Sequence, residues 1–221
     1  MSVLYVVATP IGNLGDITLR AIETLKEVDL IACEDTRHTL KLLNHFEIKK
    51  PLISFHQHSK IQKVEQIISS INSGQKVALV TDAGTPGISD PGQVLISAAH
   101  EDNIRVIPIP GVSALTALVS VSGLKNSEFE FIGFLPHKKG RQTKLKEIAQ
   151  SQMPVIIYES PYRIKKLLNE LLVAVGDQKI VVGREITKKF EEIYRGKISS
   201  VLPTIKEKGE FVLIIERNLD E

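Results

Sequence analysis

Cys33 is the only cysteine in 221 residues, which rules out a disulfide framework and a thiolate cluster for zinc. No apolar run approaches the ~20 residues that cross a bilayer. The opening Met1-Ser-Val-Leu-Tyr-Val-Val puts no basic segment ahead of its apolar run, so it reads as a first strand and not as a signal peptide. Net charge is also small, at +2, so composition alone announces no nucleic-acid binder. Several enzyme signatures are missing. Gly12-Asn-Leu-Gly15 has the wrong spacing for a dinucleotide fingerprint, and there is no Walker A loop or G-x-S-x-G elbow. His56 and His58 would share a face of an extended segment, but no third ligand is spaced to join them, and surface histidines are the simpler reading. Cys33 ends an apolar run with no histidine partner that can be placed, so it reads as a core thiol. These absences lead to an expectation of metal-free chemistry in a cytoplasmic protein.

What is present is ample apolar material, 43% of the chain, enough for one domain or two small ones. The most informative stretch is Thr81-Asp-Ala-Gly-Thr-Pro-Gly-Ile-Ser-Asp-Pro-Gly92. It follows Val77–Val80, which reads as a buried strand, and precedes Val94-Leu-Ile96, which reads as a helix. Glycines and prolines between strand and helix make a rigid loop at the carboxyl end of a sheet, where open α/β folds bind small ligands. The same residues also build an ordinary strand-to-helix turn.

Along the chain, strands at 2–8, 29–33, 52–55, 76–80 and 105–109 alternate with helices, which predicts a mostly parallel first sheet. Asp16 is the expected cap of a helix with Leu19, Ile22 and Leu25 inward; Leu40 and Leu43 should face inward on the next. The strand ends at Pro10, Asp82 and Pro110 all carry Gly/Pro loops, and in a parallel sheet these would line one cleft. Ser122–Ser127 is the candidate linker, giving domains of 1–120 and 121–221. Beyond it, strands at 129–134, 155–158, 180–183, 192–198 and 211–216 predict a second, mixed sheet, with 192–198 and 211–215 close in sequence. Residues 1–118 carry 10 cations against 12 anions and residues 119–221 carry 18 against 14. Lys125, Lys138, Lys139, Arg141, Lys144 and Lys146 cluster around 125–146, opposed by Glu128, Glu130 and the adjoining Glu147; this is either a solvated helix start or a polyanion-facing patch. A cleft of backbone groups and carboxylates suits a reaction that needs mainly orientation, such as transfer of an activated group.

The 81–92 loop closely resembles the ligand loop of the tetrapyrrole methylase superfamily, the class III S-adenosylmethionine-dependent methyltransferases. Further stretches narrow the likeness: Ala8–Thr18, Cys33–Thr39, Phe131–Pro136, Tyr158–Arg163, Arg184–Glu191 and Gly209–Ile214. Together they resemble the bacterial 16S rRNA (cytidine-2′-O)-methyltransferase branch, from Val3 to Glu216.

The resemblance implies two α/β domains with the methyl donor in the cleft between them and S-adenosylhomocysteine as product. It assigns donor contacts to Pro10, Asp82, Ala83, Gly84, Ile88 and Ser113. In the second domain it assigns them to Tyr158, Glu159 and Arg184, with Gly209, Glu210 and Phe211 nearby. The implied acceptor is a cytidine ribose in the decoding region of 16S rRNA, within the assembled small subunit, and a homodimer is implied as well. Base candidates are Asp16, Glu34, Asp35 and Glu159; phosphate-contact candidates are Arg37, Lys138, Lys139, Arg141 and Arg163, extended by Lys188 and Lys189. Arg184 and Glu185 otherwise read as a local ion pair. The sequence stops at Glu221 where many members carry a further segment, so the resemblance implies intact donor motifs and a different or weaker grip on RNA. The alternatives are a non-catalytic donor-binding sensor or RNA-docking module, and a superfamily methyltransferase with another acceptor.

Overall fold

A computed structural model describes residues 2–55, 61–124 and 128–217. The chain divides into two compact units, Met1–Ser113 and Ala114–Glu221. His56, His58 and Lys125 lie outside the described residues, as does the end of the 122–127 linker.

The first unit is built on strands β1 (Val3–Val7), β2 (Leu30–Cys33), β3 (Leu52–Ser54), β4 (Lys76–Leu79) and β5 (Arg105–Ile109). They form one sheet in the order β3-β2-β4-β1-β5, with every pairing parallel. Parallel neighbours need a crossover, and the sequence supplies helices α1 (Leu19–Glu27), α2 (Thr36–His45), α3 (Ile61–Asn72) and α4 (Gly92–Glu101). Both faces of the sheet are covered, which is why β1, β2 and residues 77–79 of β4 are apolar and do not alternate with polar residues. Ala78 and Val80 pack with Ala21, Leu25 and Leu43 on one face, while Val77 and Leu79 pack with Ile67, Ile71, Leu95 and Ala99 on the other. The period-2 geometry of a strand divides one apolar run between two cores.

Two helix expectations are corrected. Thr18, not Asp16, caps α1, with its side chain accepting from the Ala21 N–H at 3.1 Å; Leu19 is left exposed and Ala21, Thr24 and Leu25 face inward. Leu19 is the first residue of the helix, and the stripe that meets the sheet is carried by Ala21 and Leu25. In α2 the inward residues are Thr39, Leu42 and Leu43, and Leu40 is exposed.

The second unit holds β6 (Glu130–Phe134), β7 (Val155–Glu159), β8 (Lys179–Arg184), β9 (Glu192–Lys197) and β10 (Phe211–Ile215). The sheet order is β6-β7-β10-β8-β9, and it is mixed: β6 and β7 run parallel while the other pairs are antiparallel. β9 and β10 are not neighbours, because β8 lies between them. Helices α6 (Arg141–Gln150) and α7 (Ile164–Val175) and the short α8 (Ile198–Val201) cover one face. Helix α5 (Ala114–Ser122) covers the other through Leu118, which packs with Ile156, Val181, Val212 and Ile214. The division therefore falls one helix earlier than 120/121, since α5 finds its apolar partner in the second sheet.

Candidate active site

The chain leaves β1, β4 and β5 at the same edge of the first sheet. β1 is the strand flanked by both of the others, the place where open α/β sheets accept ligands. Thr9 and Gly84 form an antiparallel bridge, with N–H to carbonyl distances of 2.9 and 3.0 Å. The Thr9 hydroxyl donates to the Thr81 carbonyl at 3.0 Å, and the Thr85 hydroxyl donates to the Val112 carbonyl at 3.2 Å. At Gly111 a Cβ would lie 2.9 Å from that of Ala8, so the loop after β5 needs glycine to pass β1 this closely. The three Gly/Pro loops thus converge, held by backbone and hydroxyl hydrogen bonds.

The 81–92 loop is also braced from within. Asp90 Oδ1 accepts from the Gly87 and Gly92 N–H groups at 2.8 and 2.7 Å. Gly84 and Gly87 have φ of +84° and +87°, a region that L residues avoid, so their own conformation already requires glycine. Ala83 and Ile88 stand exposed on this loop, Asp82 is half-buried and Pro10 is buried.

Carboxylates border the edge in different conditions. Asp16 Oδ2 is shielded from solvent and has no hydrogen-bond partner. Thr18 has taken the capping role, so no helix N-terminus engages Asp16. Glu34 Oε2 accepts from the Thr81 hydroxyl at 3.4 Å and lines a small depression with Asp90 and Gly92. Asp35 caps α2 and is gripped by Arg37, whose Nε and Nη2 donate at 3.1 and 2.7 Å. Those hydrogen bonds hold the Asp35 carboxyl well below the usual carboxylate range, which makes it a poor proton acceptor. The Asp35 N–H in turn donates to Asp82 Oδ1 at 3.1 Å, tying the loop after β2 to the group. Thr9, Thr81 and Asp90, which organise this edge, were not singled out from the sequence; their signal was a hydroxyl or carboxylate inside each Gly/Pro loop.

The residues assigned in the second unit are engaged in its own structure. Glu159, at the end of β7, is buried and pairs with Arg163 at 2.6 Å, and its Oε2 lies 3.8 Å from Arg141 with no hydrogen bond. Arg141 donates to Glu170 at 2.7 and 2.9 Å and to the Pro136 carbonyl at 3.1 Å; Arg163 donates to the Leu135 carbonyl at 3.2 Å. Two readings are corrected by this network. A carboxylate enclosed by two guanidiniums is not placed to accept a substrate proton, and Arg141, 3% exposed, cannot reach a phosphate.

Arg184 is buried as well. It donates to the Lys208 carbonyl at 2.5 Å and pairs with Glu192 at 3.1 Å, so its ion-pair partner is not Glu185. Glu185 instead accepts from Lys188 at 3.0 Å and from the Glu210 N–H at 2.9 Å, which locks Gly209–Phe211 against the loop after β8. Gly209 is required there because a Cβ would lie 2.5 Å from the Glu185 side chain. The Tyr158 hydroxyl accepts from the Leu115 N–H at 3.2 Å, fastening α5 to β7.

Among the phosphate candidates, Lys138 and Lys139 are exposed on the turn before α6, and Arg37 is exposed but forked on Asp35. Cys33 is buried, and burial raises its thiol pKa, in keeping with a core residue. Among the described residues no group of three His, Cys, Asp or Glu side chains is arranged to hold a metal ion, and no helix is long and apolar enough to cross a membrane.

The comparisons with known proteins agree with this architecture. Residues 3–202 match the family model described as tetrapyrrole (corrin/porphyrin) methylases. A protein of Synechocystis named ribosomal RNA small subunit methyltransferase I is 50% identical over 97% of this chain and 79% of its own length. Its namesake in Thermotoga maritima is 44% identical over 97% of this chain and 98% of its own. Among solved structures, a cobalt precorrin-4 methyltransferase superposes with a TM-score of 0.71 at 16% identity, over 96% of this chain and 94% of the other. The uroporphyrin III C-methyltransferase of Thermus thermophilus gives 0.69 at 16%, over 97% of each chain; likeness at this identity speaks for the fold. By this family match and these relatives, the chain belongs to the tetrapyrrole methylase family, on the branch of the ribosomal RNA small subunit methyltransferases I.

Proposed function

We propose that this protein transfers a methyl group from S-adenosylmethionine to the ribose 2′-hydroxyl of a cytidine in the decoding region of 16S rRNA. The convergence of the loops after β1, β4 and β5 is the observation that carries the reading, in a chain half-identical to a named rRNA methyltransferase. The residues fit the donor. Pro10, Ala83 and Ile88 offer apolar contact for an adenosine. Asp82, Ser113 and the loop backbones supply polar groups for its ribose and amino-acid portion.

S-adenosylmethionine supplies, when bound, a methyl already activated by the sulfonium, so the protein's work is alignment and proton acceptance. A braced loop edge provides the first without reorganising. Asp16 is our assignment for the second, because its Oδ2 is withdrawn from water and uncommitted, whereas Asp35 and Glu159 are held by arginines. Glu34, bonded to Thr81, serves the loop. Lys138 and Lys139 contact phosphates, whose attraction scales with the number of cations presented. The substrate is the assembled small subunit, since paired RNA alone offers little sequence readout. The enzyme works in the cytoplasm as a homodimer.

The test is transfer of labelled methyl to small subunits from a strain lacking the modification, followed by nuclease digestion and mass spectrometry. A 2′-O-methylcytidine product is expected. Donor binding with unlabelled RNA would refute the reading.

A further inference from the structure

Building on that reading, we infer that Tyr162 is a stacking platform for an unpaired base of the RNA substrate, set beside Lys138 and Lys139 by two turns that the buried ion network locks together. β6 and β7 are parallel neighbours, paired past a bulge at Ile132 as far as Phe134 and Tyr158, so the chain leaves both strands at the same edge of the sheet. The first turn carries Lys138 and Lys139, both exposed. The second, closed by the Arg163 N–H on the Ser160 carbonyl at 3.1 Å, carries Tyr162, which is 92% exposed.

The two turns are joined through arginines. Arg163 is bonded to Glu159 and Ser160 on its own turn and to the Leu135 carbonyl at the start of the other. Arg141 fixes the neighbouring Pro136 carbonyl while pairing with Glu170 on α7. The Tyr162 ring on this turn stands in water. Among the described residues the Tyr162 side chain makes no hydrogen bond or ring contact, whereas Phe134, at the same edge, stands edge-on to Tyr158 at 5.6 Å.

Charge selects the occupant. Lys144 pairs with Glu147, Lys165 with Glu207 and Lys166 with Glu170, but among the described residues neither Lys138 nor Lys139 has an anionic partner. Two uncompensated cations beside a bare planar ring match a chain of phosphates and splayed bases. Unpaired RNA is recognised in this way, by stacking on aromatic side chains.

The chain has no tryptophan, so Tyr162→Trp introduces a single indole reporter at this position. Titration with a short single-stranded cytidine-containing RNA is expected to quench its fluorescence saturably, and Lys138→Ala should reduce the salt slope of binding by about 1. In methyl transfer to small subunits, Tyr162→Ala should raise KM by about 5- to 150-fold, the range for loss of one base–aromatic stack, with kcat little changed; Tyr162→Phe should behave as wild type. An unquenched reporter, or an unchanged KM for Tyr162→Ala while the wild type methylates normally, overturns the inference. So does a dimer that dissociates on Tyr162→Ala with RNA affinity unaltered, since the ring would then serve self-association. The quenching titration needs no turnover, so a wild-type enzyme that binds RNA through Tyr162 but methylates nothing would defeat the proposed reaction and leave the stacking assignment standing.

Discussion

The two sheets end in loop edges that are held by different means. At the first, the loops after β1, β4 and β5 are joined by a backbone bridge, two hydroxyl-to-carbonyl bonds and an aspartate turned onto its own loop. At the second, the turns after β6 and β7 and the loop after β8 are joined by ion pairs: Arg141, Glu159, Arg163 and Glu170 in one network, and Arg184, Glu192 and Lys206 in another. The consequence is a division of labour. The first edge commits Asp90 to its own loop and Asp35 to Arg37, and leaves Asp16, the base proposed above, as a shielded carboxylate with an oxygen that has no hydrogen-bond partner. The second edge commits its arginines and glutamates to structure and leaves Lys138, Lys139 and Tyr162 exposed, the groups proposed above to meet RNA.

Breaking the second edge should cost most. Glu159→Ala leaves Arg163 facing a buried vacancy, and removing one partner of a buried pair costs about 3–5 kcal/mol. Hydrogen exchange should register that loss in β6 and β7 while the amides of β1 and β4 keep their protection. The first edge should give less. Gly84→Ala forces a side chain into φ of +84°, a strain of roughly 1–2 kcal/mol, which a lowered melting temperature and weaker donor affinity would record.

Acid should give a smaller effect at the second edge. Hydrogen bonds from Lys206 and Tyr194 hold the Glu192 pKa down to about 2, against an ordinary value of 4.5. A depressed folded-state pKa contributes stability above the unfolded value, and that stability is lost as pH falls from about 4.5 towards 2. Glu192→Gln should flatten that limb of the acid-denaturation curve, a small effect confined to that window. The bridge between Thr9 and Gly84 has no titrating group and should not respond.

The strands and the three converging loops were legible because apolar runs punctuated by glycine and proline carry their structure locally. Helix faces were less so: a leucine at the first position of α1 shares the apolar spacing of Ile22 and Leu25 yet lies exposed. The affiliation of α5 was hidden because Leu118 looks apolar in either unit, and only the second sheet shows what it packs on. The ion networks were hidden for a related reason. Arg141 and Glu170 are far apart in sequence, so a cation that reads as a phosphate ligand in a basic stretch is instead a staple between helices. Asp16 is one of four unranked base candidates by sequence, and only the structure shows that its Oδ2 has no hydrogen-bond partner.

The division of labour is tested most directly by single-turnover methyl transfer to unmodified small subunits, comparing Asp16→Asn with Glu159→Gln at a temperature where both are folded. Loss of the proposed base should slow Asp16→Asn by about 100- to 10,000-fold with donor affinity and melting temperature preserved. Glu159→Gln should lower the melting temperature and leave the rate near wild type. A rate that collapses in Glu159→Gln and survives in Asp16→Asn would contradict the account and move the chemistry to the second edge.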